Sequence, residues 1–247
     1  MLSKTATVTP IGEALINEEL KVGDHRLTIK FYGGHKHDLS SLIEDTHQIE
    51  VPADPTDPSR WTAKLYGGGI RNVPSHRYRT FANGFVGWVK TPVTLQTRDC
   101  WSAVLFAPST NSGAIFALLH LSRESLHPEG SPHEYPRHGL IGSALREMSN
   151  FTAMEDVQAY ILGGIGHGNY NNTWKEAVDH YGREYPNAIF PSGRINIALA
   201  AKQALMRSGV AKCNIVVDDS INTFRHPECG SLRGGKPGKN LTVAQLR

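Results

Sequence analysis

The sequence predicts a single domain of α/β type, with helices packed on mixed β-sheets. Three observations carry that expectation. Residues 100–106 and 114–121 are two apolar runs on either side of a short turn, which is the pattern of a buried strand pair. Residues 157–162 form a third apolar run that ends in the glycine-rich stretch 163–168. Three further segments repeat their apolar residues at helical spacing, and they alternate irregularly with the strands.

Residues 1–24 read as an N-terminal lead-in with a short amphipathic patch over 11–20, and residues 25–247 as the domain proper. Leu27, Ile29 and Phe31 alternate as in a half-buried strand that stops at Gly33-Gly34. Residues 52–58, with three prolines, form a connector that suits neither helix nor central strand. Residues 85–96 read as extended, with a turn near Pro92, and the strand pair 100–106 and 114–121 turns over 108–112. Residues 126–137 are polar and rich in Pro, His and Glu, as a surface loop is.

Leu140, Ile141, Ala144, Leu145 and Met148 then share one helical face. Thr173 is placed to cap a helix in which Trp174, Val178 and Tyr181 recur. Ser192 is a second candidate cap, ahead of a stripe of Ile195, Ala198, Leu199, Leu205 and Met206 that Gly209 closes. Residues 213–217 read as a strand, followed by a Gly-Lys loop over 234–239 and a short last element from Leu241.

A chain of 247 residues with 39% apolar and 20% charged residues can bury a full core. Its net charge of +3 and the lack of basic runs argue against nucleic acid as the partner and leave room for a small anionic substrate. No apolar run approaches the roughly 20 residues of a membrane helix. Cys100, Cys213 and Cys229 are odd in number and widely spaced, which suits free thiols in a reducing, cytoplasmic setting.

The chemistry-bearing stretch is Asp99-Cys100, with His120 at the end of the returning strand. A strand cysteine is usually a small buried hydrophobe, and a lone histidine usually belongs to the core or its rim. Brought together by a hairpin, a thiol and an imidazole are either two metal ligands or a nucleophile with its base. The 163–168 turn could offer backbone N–H groups, Gly164 and Gly166 among them, to a phosphate or carboxylate. Arg233, just after Ser231, is the best single anion contact among the C-terminal cations. His35 and His37, two apart, would share a face if extended. This is the only His-x-His pair among twelve histidines, so multicopper chemistry is unsupported.

Five segments, in order, carry a resemblance: Ala82-Asn83-Gly84-Phe85-Val86, Thr97-Arg98-Asp99-Cys100, Leu119-His120-Leu121-Ser122-Arg123, Gly164-Ile165-Gly166-His167-Gly168-Asn169-Tyr170, and Gly230-Ser231-Leu232-Arg233 with Gly238-Lys239. Together they resemble the bacterial laccase-domain family, the YfiH-type "polyphenol oxidase" proteins. The match runs from about residue 60 to the end and is loose before that, around 31–34.

The resemblance implies an α+β fold, a mixed β-sheet sandwich flanked by helices, shared with certain Cys–His deamidases. It also implies a zinc-type site of His, Cys and His, with phosphorolysis of purine nucleosides and some adenosine deamination; other members are linked to peptidoglycan precursor editing. Cys100 and His120 match the second and third metal positions, and Arg123 follows in the same segment. At the first position Tyr66 stands where the family has histidine, and a phenol ionises only near pKa 10, so it is a poor zinc ligand. His35, His37, His47 or His76 would have to replace it.

Three readings follow: a metal-assisted enzyme acting on a nucleoside-like small molecule (zinc rather than copper), a metal-free Cys–His hydrolase or deamidase, and a non-catalytic relative that binds a ligand in the same cleft.

Overall fold

The structure is a computed structural model. It describes residues 12–35, 37–44, 46–49, 63–64, 71–74, 82–87, 92–110, 113–122, 126, 139–170 and 175–247; at 47–48, 63–64, 71–74, 82–83, 167 and 175–177 it describes the backbone alone. Among these, two six-stranded sheets face each other and helices cover the outer face of one.

The first sheet comprises β1 (Ile16–Val22), β2 (His25–Tyr32), β3 (His47–Ile49), β4 (Ala63–Lys64), β7 (Val93–Thr97) and β12 (Asn240–Leu246), in the order β1-β2-β12-β7-β3-β4. The second comprises β5 (Arg71–Pro74), β6 (Ala82–Gly87), β8 (Trp101–Ser109), β9 (Gly113–Leu121), β10 (Gln158–Gly164) and β11 (Ile215–Asn222), in the order β11-β10-β8-β9-β6-β5. Both sheets are mixed, since β3 runs parallel to β7 and β10 parallel to β11. The α+β sandwich with flanking helices is therefore the fold observed.

The period of two in β8 explains the layering. Val104 and Phe106 join Phe116, Leu118, Phe31, Leu95 and Leu162 in the core between the sheets. Trp101, Ala103, Leu105 and Ala107 point the other way, into a second core under α1 (Gly139–Met148), α2 (Lys175–Glu184) and α3 (Ile197–Arg207). A strand buried on both faces reads as a continuous apolar run, which is why residues 100–106 and 114–121 are legible. Each large side chain buried there contributes about 1.5–3 kcal/mol.

Several expectations need correction. The stretch taken as a lead-in contains β1, paired antiparallel with β2 from Ile16–Phe31 to Val22–His25. Its alternation puts Ile16 and Val22 in the core and leaves Asn17, Glu19 and Lys21 to blunt a sheet edge. The cap of α3 is Asn196, whose side chain accepts from the Leu199 N–H at 3.0 Å; Ser192 lies in the preceding turn. Met206 is 41% exposed and leaves the apolar stripe.

Cys213 is exposed in the short turn Lys212–Asn214 that precedes β11. The last element is no appendage, because β12 lies between β2 and β7 inside its sheet. Leu126, placed in a surface loop, is fully buried. The proline-rich connector, the Thr173 cap and the rest of 127–137 lie outside the described residues. Among the described residues no helix is long and apolar enough to cross a membrane.

Candidate active site

The β8–β9 hairpin sets the position of the thiol and the imidazole. Ser102 opposes His120 and Trp101 opposes Leu121. The Ser102 hydroxyl lies 2.8 Å from the Thr242 hydroxyl of β12, so this face of the hairpin looks toward the other sheet. Residues opposite one another on a ladder share a face, which puts His120 on that side, 7% exposed. Cys100 lies two residues before Ser102 and is partly exposed. Cys100 lies just before β8 and His120 one residue before the end of β9, so the two sit at the same end of the hairpin.

Asp99, immediately before the cysteine and only 3% exposed, is the hub of the neighbourhood. Its Oδ1 accepts from the Ser231 hydroxyl at 2.5 Å and the Thr223 hydroxyl at 3.4 Å. Its Oδ2 accepts from the Arg233 backbone N–H at 3.0 Å and from Arg233 Nη1 at 3.5 Å. Its carbonyl accepts from the Ile165 N–H at 3.0 Å. A buried carboxylate needs this many donors to offset its lost hydration. The Arg233 guanidinium also lies 4.5 Å from the centre of the Tyr170 ring. Ser231 and Arg233 are therefore brought to the doorstep of Cys100, and Ser231 serves Asp99.

The glycine turn does something other than expected. The N–H of Gly166 donates to Asn222 Oδ1 at 3.0 Å, so it does not offer itself to an anion. Gly164 abuts the Trp101 indole, where any Cβ would collide. Gly163 has φ of +65° and backs onto Phe31. These glycines serve close packing between β10, Trp101 and Asn222.

Asn240, which the sequence reading passed over, braces the site from below. Fully buried, it accepts from the N–H groups of Gly230 (2.7 Å) and Gly34 (3.3 Å). It donates to the carbonyls of Arg98 (2.8 Å) and Gly230 (3.0 Å). One carboxamide thus ties the β2 exit and the C-terminal loop to the residue before Asp99. Its only signal in the sequence is an amide directly after the Gly-Lys loop.

Cys229 is buried near Lys236 and is no second nucleophile: burial pushes its thiol up to about 12. His35 and His37 do not converge on Cys100. Nδ1 of His35 lies 3.1 Å from the Pro237 carbonyl, and Nε2 of His37 lies 3.9 Å from Glu228. Tyr66, Arg123 and His76 lie outside the described residues.

Cys100 and His120 supply two donors where a catalytic zinc takes three protein ligands. Among the described residues no group of three or more His, Cys, Asp or Glu converges, so the donors described do not by themselves fit such a site.

No family model matches the chain, and no curated protein sequence does. Solved structures do. The chain is similar to the hypothetical protein YfiH of Bacillus licheniformis, with a TM-score of 0.53 and 18% identity over 69% of this chain and 64% of that one. It is similar also to YlmD from Geobacillus stearothermophilus, with a TM-score of 0.52 and 17% identity over 68% of this chain and 63% of that one. The matched region thus spans less than two thirds of the length of these proteins.

Proposed function

On the fold that this chain shares with YfiH and YlmD, we propose an enzyme that acts on a small anionic molecule at the open end of the β8–β9 hairpin. Cys100 and His120 perform the chemistry and Arg233 receives the anion. The observation that carries this reading is the double hold of Asp99 on Arg233, one residue from the thiol.

The chemistry follows from the residues. His120 takes the proton of Cys100, and the thiolate attacks an electrophilic carbon of an amide or amidine in the substrate. A C–S bond forms while the π pair moves to the heteroatom. Collapse breaks the C–N bond, and the departing nitrogen takes the proton from the imidazolium. Water then hydrolyses the thioester-like intermediate and restores the thiol. Arg233, its side chain about one third exposed, meets an anionic group of the substrate and orients it.

A second reading is zinc-type phosphorolysis or hydrolysis of a purine nucleoside. The shared fold and the stacking of Arg233 on Tyr170 favour it, phosphate then being the anion. It requires a third metal ligand beyond Cys100 and His120. The same anion site with neither chemistry would make the chain a binding protein.

The test is turnover of adenosine, inosine and guanosine, with and without phosphate, and of their anionic 5′-monophosphates, read as ammonia and free base. We expect Cys100→Ala and His120→Ala each to lower turnover at least about a hundredfold, and Arg233→Ala to act mainly on KM. Turnover that survives a chelator supports the thiol route, and loss that zinc reverses supports the second reading. Full activity in Cys100→Ala would overturn both.

A further inference from the structure

A cavity lies on the helical side of the sheet that contains β8 and β9. Its volume is about 330 Å³, and it sits where α3 crosses β11. β10 and β11 run parallel, with α2 and α3 in the connection between them. Gly166 follows the end of β10, and Ile221 and Asn222 close β11, so the cavity lies at the carboxyl ends of a parallel pair. Crevices at that position are where open α/β units most often take ligands. The Trp101 indole forms part of its floor and points away from the face shared by Ser102 and His120. The site is therefore separate from the thiol chemistry and independent of it.

Its walls have opposite charge. Leu199 and Lys202, three apart, share one face of α3. Val217 and Asp219, two apart, share one face of β11. Among the described residues neither Lys202 nor Asp219 is in an ion pair, with each other or with anything else. The lining also includes Trp101, Leu199, Val217 and Ile221, all apolar. The amide of Asn222 is already spent: its Oδ1 accepts from Gly166 and Phe224, and its Nδ2 donates to Asn169, which seals one end.

We propose that this cavity binds a small zwitterion with an apolar body, of the hydrophobic α-amino acid class. The carboxylate meets Lys202, the ammonium meets Asp219, and the side chain lies on Trp101 and Leu199. A cavity built for a purely apolar ligand would gain nothing from two unpaired charges on its walls. One built for an anion would not place a carboxylate opposite its lysine.

The experiment titrates the full chain, by calorimetry or by amide chemical shifts, with L-phenylalanine, 3-phenylpropionate and phenethylamine. The first carries both charges and the others one each. L-Phenylalanine should saturate the site near about 1 mM or below, with each analogue about three- to tenfold weaker. Lys202→Gln should erase the preference over phenethylamine, and Asp219→Asn the preference over 3-phenylpropionate. Leu199→Trp, which fills the cavity and leaves both charges, should abolish binding. No saturation of the unmodified chain by about 10 mM, or binding that none of the three substitutions alters, would overturn the proposal.

Discussion

Asp99 and Arg233 are joined twice, through the backbone N–H of Arg233 at 3.0 Å and through its guanidinium at 3.5 Å, across 134 positions of sequence. The first bond fixes the C-terminal loop and the second aims a cation. Because the carboxylate belongs to the residue before Cys100, loop and thiol cannot shift independently. That coupling makes the proposed anion contact and the candidate nucleophile one unit.

Asp99→Asn keeps the shape of the hub but removes its charge. It should cost about 1–3 kcal/mol, because a buried, multiply bonded acceptor is weakened while its donors stay in place. Urea unfolding measures the cost. Arg233 should loosen with it, so substrate KM should rise more than kcat falls.

Asn240→Ala deletes four hydrogen bonds from a fully buried position and strands the groups that made them. A loss of about 2–4 kcal/mol is expected. Asn240→Asp keeps the two acceptances but turns a carboxylate oxygen toward the Arg98 and Gly230 carbonyls in a fully buried site, so its loss at neutral pH should be at least as large. The order of the two variants in chemical denaturation is the readout, and a smaller loss for Asn240→Asp would mean that the Arg98 and Gly230 carbonyls do not depend on this side chain.

Two groups give the fold opposite pH limits. Burial alone would push the Asp218 carboxyl up, but the hydroxyl and N–H of Ser220 and the hydroxyl of Tyr160 hold it below its ordinary value. A depressed carboxylate stabilises the fold above its unfolded pKa, about 3.9, and that contribution is lost as pH falls through the folded value. Burial of Cys229 acts at the other end. A thiol raised from 9.0 to about 12 stabilises the fold below the unfolded value, and the contribution disappears as pH climbs toward 12. Asp218→Asn should flatten the acid limb of a stability–pH curve, and Cys229→Ala should flatten the alkaline limb and leave the acid limb alone.

Much of this was legible in the sequence where one physical signal dominated. β8 and β9 are buried on both faces, so their apolar runs read directly, and α1 shows a single apolar stripe. β1 is hard to read because an edge strand with Asn17, Glu19 and Lys21 pointing out, and Glu18 on its inner face, resembles a polar lead-in. β12 was undervalued because nothing local says that Leu241–Tyr32 and Leu241–Gln96 pairs flank it on both sides.

The site followed the same division. Asp99, Cys100, His120 and Arg233 stood out by residue type. The glycines of 163–168 misled because the same composition serves an anion nest or close packing, and only the Asn222 bond to Gly166 and the Trp101 contact decide between them. Asn240 acts through partners distant in sequence, which no spacing rule reveals.

The account rests on His120 activating Cys100, and the most direct measurement is the rate of iodoacetamide alkylation at each cysteine at neutral pH, site by site. Cys213 is an exposed reference and Cys229 a buried one. Partly exposed Cys100 should react faster than Cys213 despite its lower accessibility, and His120→Ala should remove that advantage, since only the thiolate reacts. Alkylation of Cys100 no faster than Cys213, or unchanged in His120→Ala, would contradict it.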